Sequence, residues 1–147
     1  MRNSKNQFTQ AELTFNYHHY PHFLKLADTN KAGQLLLKLW QEECQCTQAK
    51  KYVLFLDAKN QFIAWKNLAS TLDDGYCARE IAGMAIACNA SSIILSHNRL
   101  SSSTPNQSDK NLITKTFEVC EQFCLEILDY LIITPKECVS YKLWLLN

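Results

Sequence analysis

Apolar and polar residues alternate over 12–17, which places Leu13, Phe15 and Tyr17 on one face of a short predicted strand. The run His18-His19-Tyr20-Pro21-His22 ends that alternation. Leu35, Leu36, Leu39 and Trp40 then recur at helical spacing, with Asp28, Thr29 and Asn30 as N-cap candidates, so a helix is expected near 31–46. Residues 52–56 are a continuous apolar run of strand length. The turn signal Asp57-Ala58-Lys59-Asn60 follows, and Phe62-Ile63-Ala64-Trp65 reads as the returning arm of a hairpin. Residues 68–72 are a candidate extension of that sheet. A second helix is predicted over 79–89, with Ile81, Met84, Ala85 and Cys88 on one side. Ser92-Ile93-Ile94-Leu95-Ser96 reads as a short buried strand that delivers His97 at its end. The stretch 98–108 is the most loop-like in the chain. A third helix near 109–124 is expected to bury Ile113, Phe117, Cys120 and Cys124, and two strands, 126–134 and 138–145, close the pattern.

The order β-α-β-β-α-β-α-β-β, without internal repeats or a linker, predicts one α/β domain over residues 11–147 after a polar, frayed segment 1–10. A chain of 147 residues can bury roughly 68–70% of its unfolded surface, enough for one core. With 47% apolar and 20% charged residues and only three Gly and three Pro, collagen-like, low-complexity and wholly disordered classes are excluded. No apolar run is long enough to span a bilayer, so no membrane association is expected. The start Met1-Arg2-Asn3-Ser4-Lys5-Asn6-Gln7 leads into no apolar h-region, so no signal peptide is expected. An odd count of seven cysteines without such a signal predicts a reducing, cytoplasmic setting and free thiols. Fifteen basic residues against fourteen acidic ones, scattered along the chain, form no basic stripe of the kind a duplex-binding domain carries.

Of the segments that could carry chemistry, the strand-His97-loop-helix unit stands out, because α/β sheets place ligands at the carboxyl ends of their strands. The plain alternative is a histidine that caps the strand and bonds to backbone. His18, His19 and His22 near Cys44 and Cys46 lack the two well-spaced pairs of a structural zinc site and read as surface histidines. Cys120 and Cys124, at i and i+4 with Phe117, read as core packing. Cys77 and Cys88 have no charged activator in sequence. Ser101-Ser102-Ser103-Thr104 has no His/Asp pattern to make a nucleophile and reads as a flexible hydroxyl-rich loop. Trp65, Tyr141 and Trp144 lack the interleaved basic residues of a single-strand stacking platform and read as packing.

Several blocks, in order, resemble one known family. They are Val53-Leu54-Phe55-Leu56-Asp57-Ala58-Lys59-Asn60, Ala78-Arg79-Glu80-Ile81, the stretch from Asn89 through Ser96-His97-Asn98, Leu128-Asp129-Tyr130-Leu131-Ile132-Ile133, and Val139-Ser140. From about Ala11 to Leu146 the chain is similar to RadC proteins, a bacterial branch of the JAMM (MPN/JAB-type) metalloprotease family. The resemblance implies a three-layer, cytidine-deaminase-like α/β domain with a curved mixed sheet flanked by helices.

The family builds its zinc site from His-x-His-Pro-Ser-Gly, an Asp at the start of the next helix and an upstream Glu. Catalytic zinc needs three protein ligands and an open position for water, whose proton a carboxylate removes. Carried onto this chain, the first ligand is His97, the second position holds Arg99, and Leu100-Ser101-Ser102 stand where Pro-Ser-Gly would be. An ungapped comparison puts Lys110 at the Asp ligand; a one-residue shift uses Asp109 instead. The Glu position falls at Ala49/Lys50, next to Lys51, and Glu43 is too far upstream to fit without a gap. Arginine has no lone pair to offer a metal. Its fixed charge also repels the ion, since two unit charges ~4 Å apart interact by about 4 kcal/mol at an effective dielectric of ~20.

The resemblance so modified implies a pseudoenzyme that needs no cofactor where its relatives use zinc, and that acts as a binding or accessory module for a protein or peptide partner. Two other outcomes stay open. One is an active zinc metallohydrolase using His97, Asp109 and a non-standard third ligand. The other is a DNA-associated protein, an expectation that rests on the family's DNA-repair label alone. Arg99 and Lys110 beside a helix N-terminus also form a candidate anion site; the alternative is that Arg99 pairs with Asp109 or points to solvent.

Overall fold

A computed structural model of the chain describes residues 29–68 and 74–142. Among the described residues the elements are α1 (Thr29–Cys44), β1 (Lys50–Leu56), β2 (Phe62–Leu68), α2 (Asp74–Ala87), β3 (Ser92–Asn98), α3 (Gln107–Gln122), β4 (Glu126–Ile133) and β5 (Cys138–Ser140). The strands form one sheet in the order β2-β1-β3-β4-β5. Only β3 and β4 run parallel, joined by α3 as their crossover; the other neighbours are antiparallel. The fold is thus α/β, as the pattern predicted, with the mixed sheet that the resemblance implied.

The period of two along each strand sorts side chains into two cores. Val53, Phe55, Ile93, Leu95, Ile127, Tyr130 and Ile132 pack with Ile81 and Ala85 of α2 and Ile113 and Cys120 of α3. Tyr52, Leu54, Leu56, Ile94, Leu131 and Ile133 pack on the other side with Leu35, Leu36, Leu39 and Trp40 of α1. Helices therefore cover both faces, giving three layers. It also explains why β1 and β3 read as unbroken apolar runs rather than alternating ones.

Local chemistry sets the connections. In the β1–β2 turn the Asp57 carboxylate accepts from the backbone N–H of Lys59 (2.8 Å) and Gln61 (2.9 Å), and Asn60 takes a positive φ of 60° that asparagine tolerates. In α1, Gly33 lies where an added Cβ would stand 2.9 Å from Cys138 Sγ, so the missing side chain lets the helix approach β5.

Several boundaries differ from the sequence pattern. Helix α2 starts at Asp74, not 79, because the small buried residues Cys77 and Ala78 already belong to its inward face. Strand β3 continues through His97 to Asn98, whose buried side chain donates to Leu36 O of α1 (3.2 Å) and accepts from Ser96 Oγ. Helix α3 starts at Gln107, and its inward face is Asp109, Leu112, Ile113, Thr116 and Cys120. That register corrects two expected core positions: Phe117 is 45% exposed, and Cys124 lies beyond the helix end and is exposed. The strand expected over 12–17, the extension over 69–72, the residues 143–145 of the last strand, and His18, His19, His22 and Trp144 lie outside the described residues.

Candidate functional site

Three elements meet at the carboxyl ends of the parallel pair. Strand β3 places His97 on the sheet face that α2 and α3 cover, β4 places Tyr130 on the same face, and α3 begins directly above them. The start of α3 is fixed by a reciprocal capping box. Asn106 Oδ1 accepts from the N–H of Asp109 (2.9 Å), and the Asp109 carboxylate accepts from the N–H of Asn106 (2.7 Å). The box sets which of two neighbours faces the sheet: Asp109 is 1% exposed, and Lys110 sits on the exposed side of the helix.

Asp109 is the hub. Its Oδ1 accepts from His97 Nδ1 (2.9 Å) and from the Tyr130 hydroxyl (2.7 Å). Its Oδ2 accepts from Arg99 Nη1 (2.8 Å) as well as from Asn106 N–H. A carboxylate offers about four acceptor sites, and here all four are used. Burial pushes the Asp109 carboxyl upward, but the bonds from His97, Asn106, Tyr130 and Arg99 outweigh it and hold the group well below the usual carboxylate range. An ionised carboxylate only accepts, so Nδ1 of His97 carries the hydrogen. The 3.5 Å approach of Arg99 Nη1 to that nitrogen is therefore proximity, not a hydrogen bond.

Arg99 is 8% exposed and tied on every side. Besides Asp109 it donates from Nε to Ser102 O (2.6 Å) and from Nη2 to Thr104 O, while its own N–H donates to Ile133 O of β4 (2.8 Å). The loop it threads is held further by Ser103 Oγ donating to Glu137 (2.6 Å) and by Tyr141 donating to Ser103 O (2.6 Å). The serine-rich stretch is thus pinned by its neighbours, unlike the flexible loop its composition predicts.

The structure brings His97, Arg99 and Asp109 together, and Lys110 lies on the exposed side of α3. Of the two alternatives for Arg99, the geometry is that of the pair with Asp109. At the position of the upstream Glu, Ala49 is exposed and Lys50 and Lys51 open β1, where Lys51 stands directly opposite His97. Glu43 is exposed at the end of α1, and its carboxylate accepts from Asn67 of β2 (3.1 Å).

The described residues around His97 do not fit a catalytic metal. Asp109 has no acceptor site to spare, His97 offers one ring nitrogen, and Arg99 brings a fixed positive charge. Among the described residues no three His, Cys, Asp or Glu side chains are grouped to hold an ion. The seven cysteines are all unbridged; burial pushes the Cys120 thiol up to about 11 and raises Cys88, so neither is an activated thiolate. Trp65 packs edge-on against Tyr52 with ring centroids 5.9 Å apart.

The model of the RadC-like JAB domain matches residues 28–144. The chain belongs to the RadC-like JAB domain family. It is similar to the UPF0758 proteins of two strains of Haemophilus influenzae, at 33% and 34% identity over 110 residues, which is 73% of this chain and 48% of each relative. The chain spans about half the length of those curated relatives. No helix among the described residues of this RadC-like domain is long and apolar enough to cross a membrane.

Two features of the domain escaped the sequence pattern. One is Tyr130, whose hydroxyl reaches Asp109; a tyrosine in an apolar strand signals a buried O–H that needs a partner, though not which one. The other is the register of α3, which the spacing Asn106-x-x-Asp109 carries as a capping signature.

The ionised hub predicts a pH dependence. Because the native carboxyl titrates below its unfolded value, the stability it supplies is complete above about pH 4 and is lost as pH falls through the native range. The urea midpoint of the wild-type chain is expected to fall more steeply below about pH 4 than that of Asp109→Asn. Parallel curves for the two chains would contradict the assignment.

Proposed function

We propose that this RadC-like domain is a catalytically impaired member of its family that serves as a binding or accessory module for a protein or peptide partner in the bacterial cytoplasm. The observation that carries the reading is the Arg99 guanidinium bonded to Asp109 beside His97, where the family pattern places a second metal-binding histidine. The entrance of β1 supports it, because lysines and an alanine stand where the water-activating carboxylate would be needed. Loss of a ligand and of the base, with the scaffold kept, leaves a surface without the chemistry. The DNA-repair label of the family finds no support in the scattered basic residues.

The purified chain is expected to contain no stoichiometric zinc by elemental analysis and to hydrolyse neither peptide nor isopeptide substrates. One zinc per chain, lost on His97→Ala, would overturn the proposal and revive a metallohydrolase built on His97, Asp109 and another ligand.

A further inference from the structure

A buried carboxylate needs a counter-charge, and in a metal-loaded site the ion supplies it. Here Asp109 is nine-tenths buried and more, and the positive charge within bonding distance of it is a guanidinium of the same chain. The same guanidinium joins three pieces of backbone: the end of β3 that bears it, the loop carbonyls of Ser102 and Thr104, and the first turn of α3 through Asp109. The strand end and helix start are the two elements that His97 and Asp109 would link through an ion.

We propose that Arg99 is an internal cation that takes over the structural work of the missing metal, neutralising Asp109 and clamping α3 to β3 so that the site keeps its shape without an ion. This rests on the reading of the domain as metal-free and adds a role for the residue that excludes the metal. An arginine suits the task because it cannot lose its charge and offers five donors in a fixed fork, of which at least three are used here.

The two possible cations should then be mutually exclusive and partly interchangeable. The test is thermal unfolding of the wild type, Arg99→His, Arg99→Lys and Arg99→Gln, each with EDTA and with excess zinc chloride. The wild type is expected to unfold at the same temperature in both media. Arg99→His in EDTA should unfold roughly 10 °C lower, regain at least half of that in zinc, and bind one zinc per chain. Combining it with His97→Ala should abolish the regain. Arg99→Lys, which keeps the charge and loses the fork, should unfold above Arg99→Gln in EDTA.

An Arg99→His chain as stable in EDTA as the wild type, or one destabilised but indifferent to zinc, would overturn the internal-cation proposal while leaving the metal-free reading intact. Zinc stabilisation of the wild type would overturn the metal-free reading itself. If Arg99→His folds in neither medium, the other pair decides: Arg99→Lys no more stable than Arg99→Gln ends the idea, and a higher Tm for Arg99→Lys upholds it.

Discussion

Asp109→Ala is expected to destabilise the fold by about 3–5 kcal/mol, the cost of removing one partner from a buried ion pair. For a domain of this size that is a fall in Tm on the order of 10–20 °C. Four donors lose their acceptor at once: His97 Nδ1, Arg99 Nη1, the Tyr130 hydroxyl and the N–H of Asn106. The guanidinium is the costliest of them, since it stays charged, buried and held by two neutral carbonyls. Only half of the capping box goes with the carboxylate, since Asn106 Oδ1 still accepts from the backbone N–H of residue 109. Denaturant unfolding of Asp109→Ala, Arg99→Met and the double variant separates the terms. The double variant should be more stable than the sum of the single losses predicts, because it leaves no unpaired buried charge. A loss under about 1 kcal/mol for Asp109→Ala would show that the pair is solvated in solution.

Trp40→Ala should cost a similar amount, about 3–5 kcal/mol, by a different route. Trp40 is fully buried in the core that α1 makes with the sheet, alongside Leu36 and Leu39. Its indole N–H donates to Gln48 O (2.6 Å) and so fastens the segment that leads from α1 into β1. Alanine leaves a cavity and removes the indole donor from the Gln48 carbonyl, which keeps only the contact from Cys44 Sγ (3.6 Å). Trp40→Phe keeps most of the volume and removes only the donor, so its loss should be about 1 kcal/mol. Equal losses for the two variants in urea unfolding would mean that the hydrogen bond, not the packing, dominates at this position.

The parts of the fold legible in the sequence are those with strong local patterns. Ile93-Ile94-Leu95 reads as a strand buried on both faces, and Leu35, Leu36, Leu39 and Trp40 as one side of a helix, and both are found so. The family blocks supplied the site's address at His97 and the anomaly at Arg99. What the pattern misplaced depended on contacts between distant elements. The inward rotation of α3 follows from a cap at Asn106 and from the sheet below it, so Phe117 and Cys124 looked like core residues and are not. The choice between Asp109 and Lys110 needed the same register. Tyr130 was visible as strand but not as a donor, because its partner lies 21 residues earlier on another element. Asn98, polar in sequence, hid the last residue of β3 until its bond to Leu36 O accounted for it.

The capping box at the start of α3 has a consequence for anyone tracing this lineage by its motifs. Asp109 closes a helix end as well as facing His97, so its loss would cost the fold whether or not the domain is catalytic. An acidic residue at this address is therefore explained by folding alone and is no sign of catalysis by itself. On the reading proposed above, a homologue that keeps the metal should instead differ two residues after the histidine, at the position held here by Arg99.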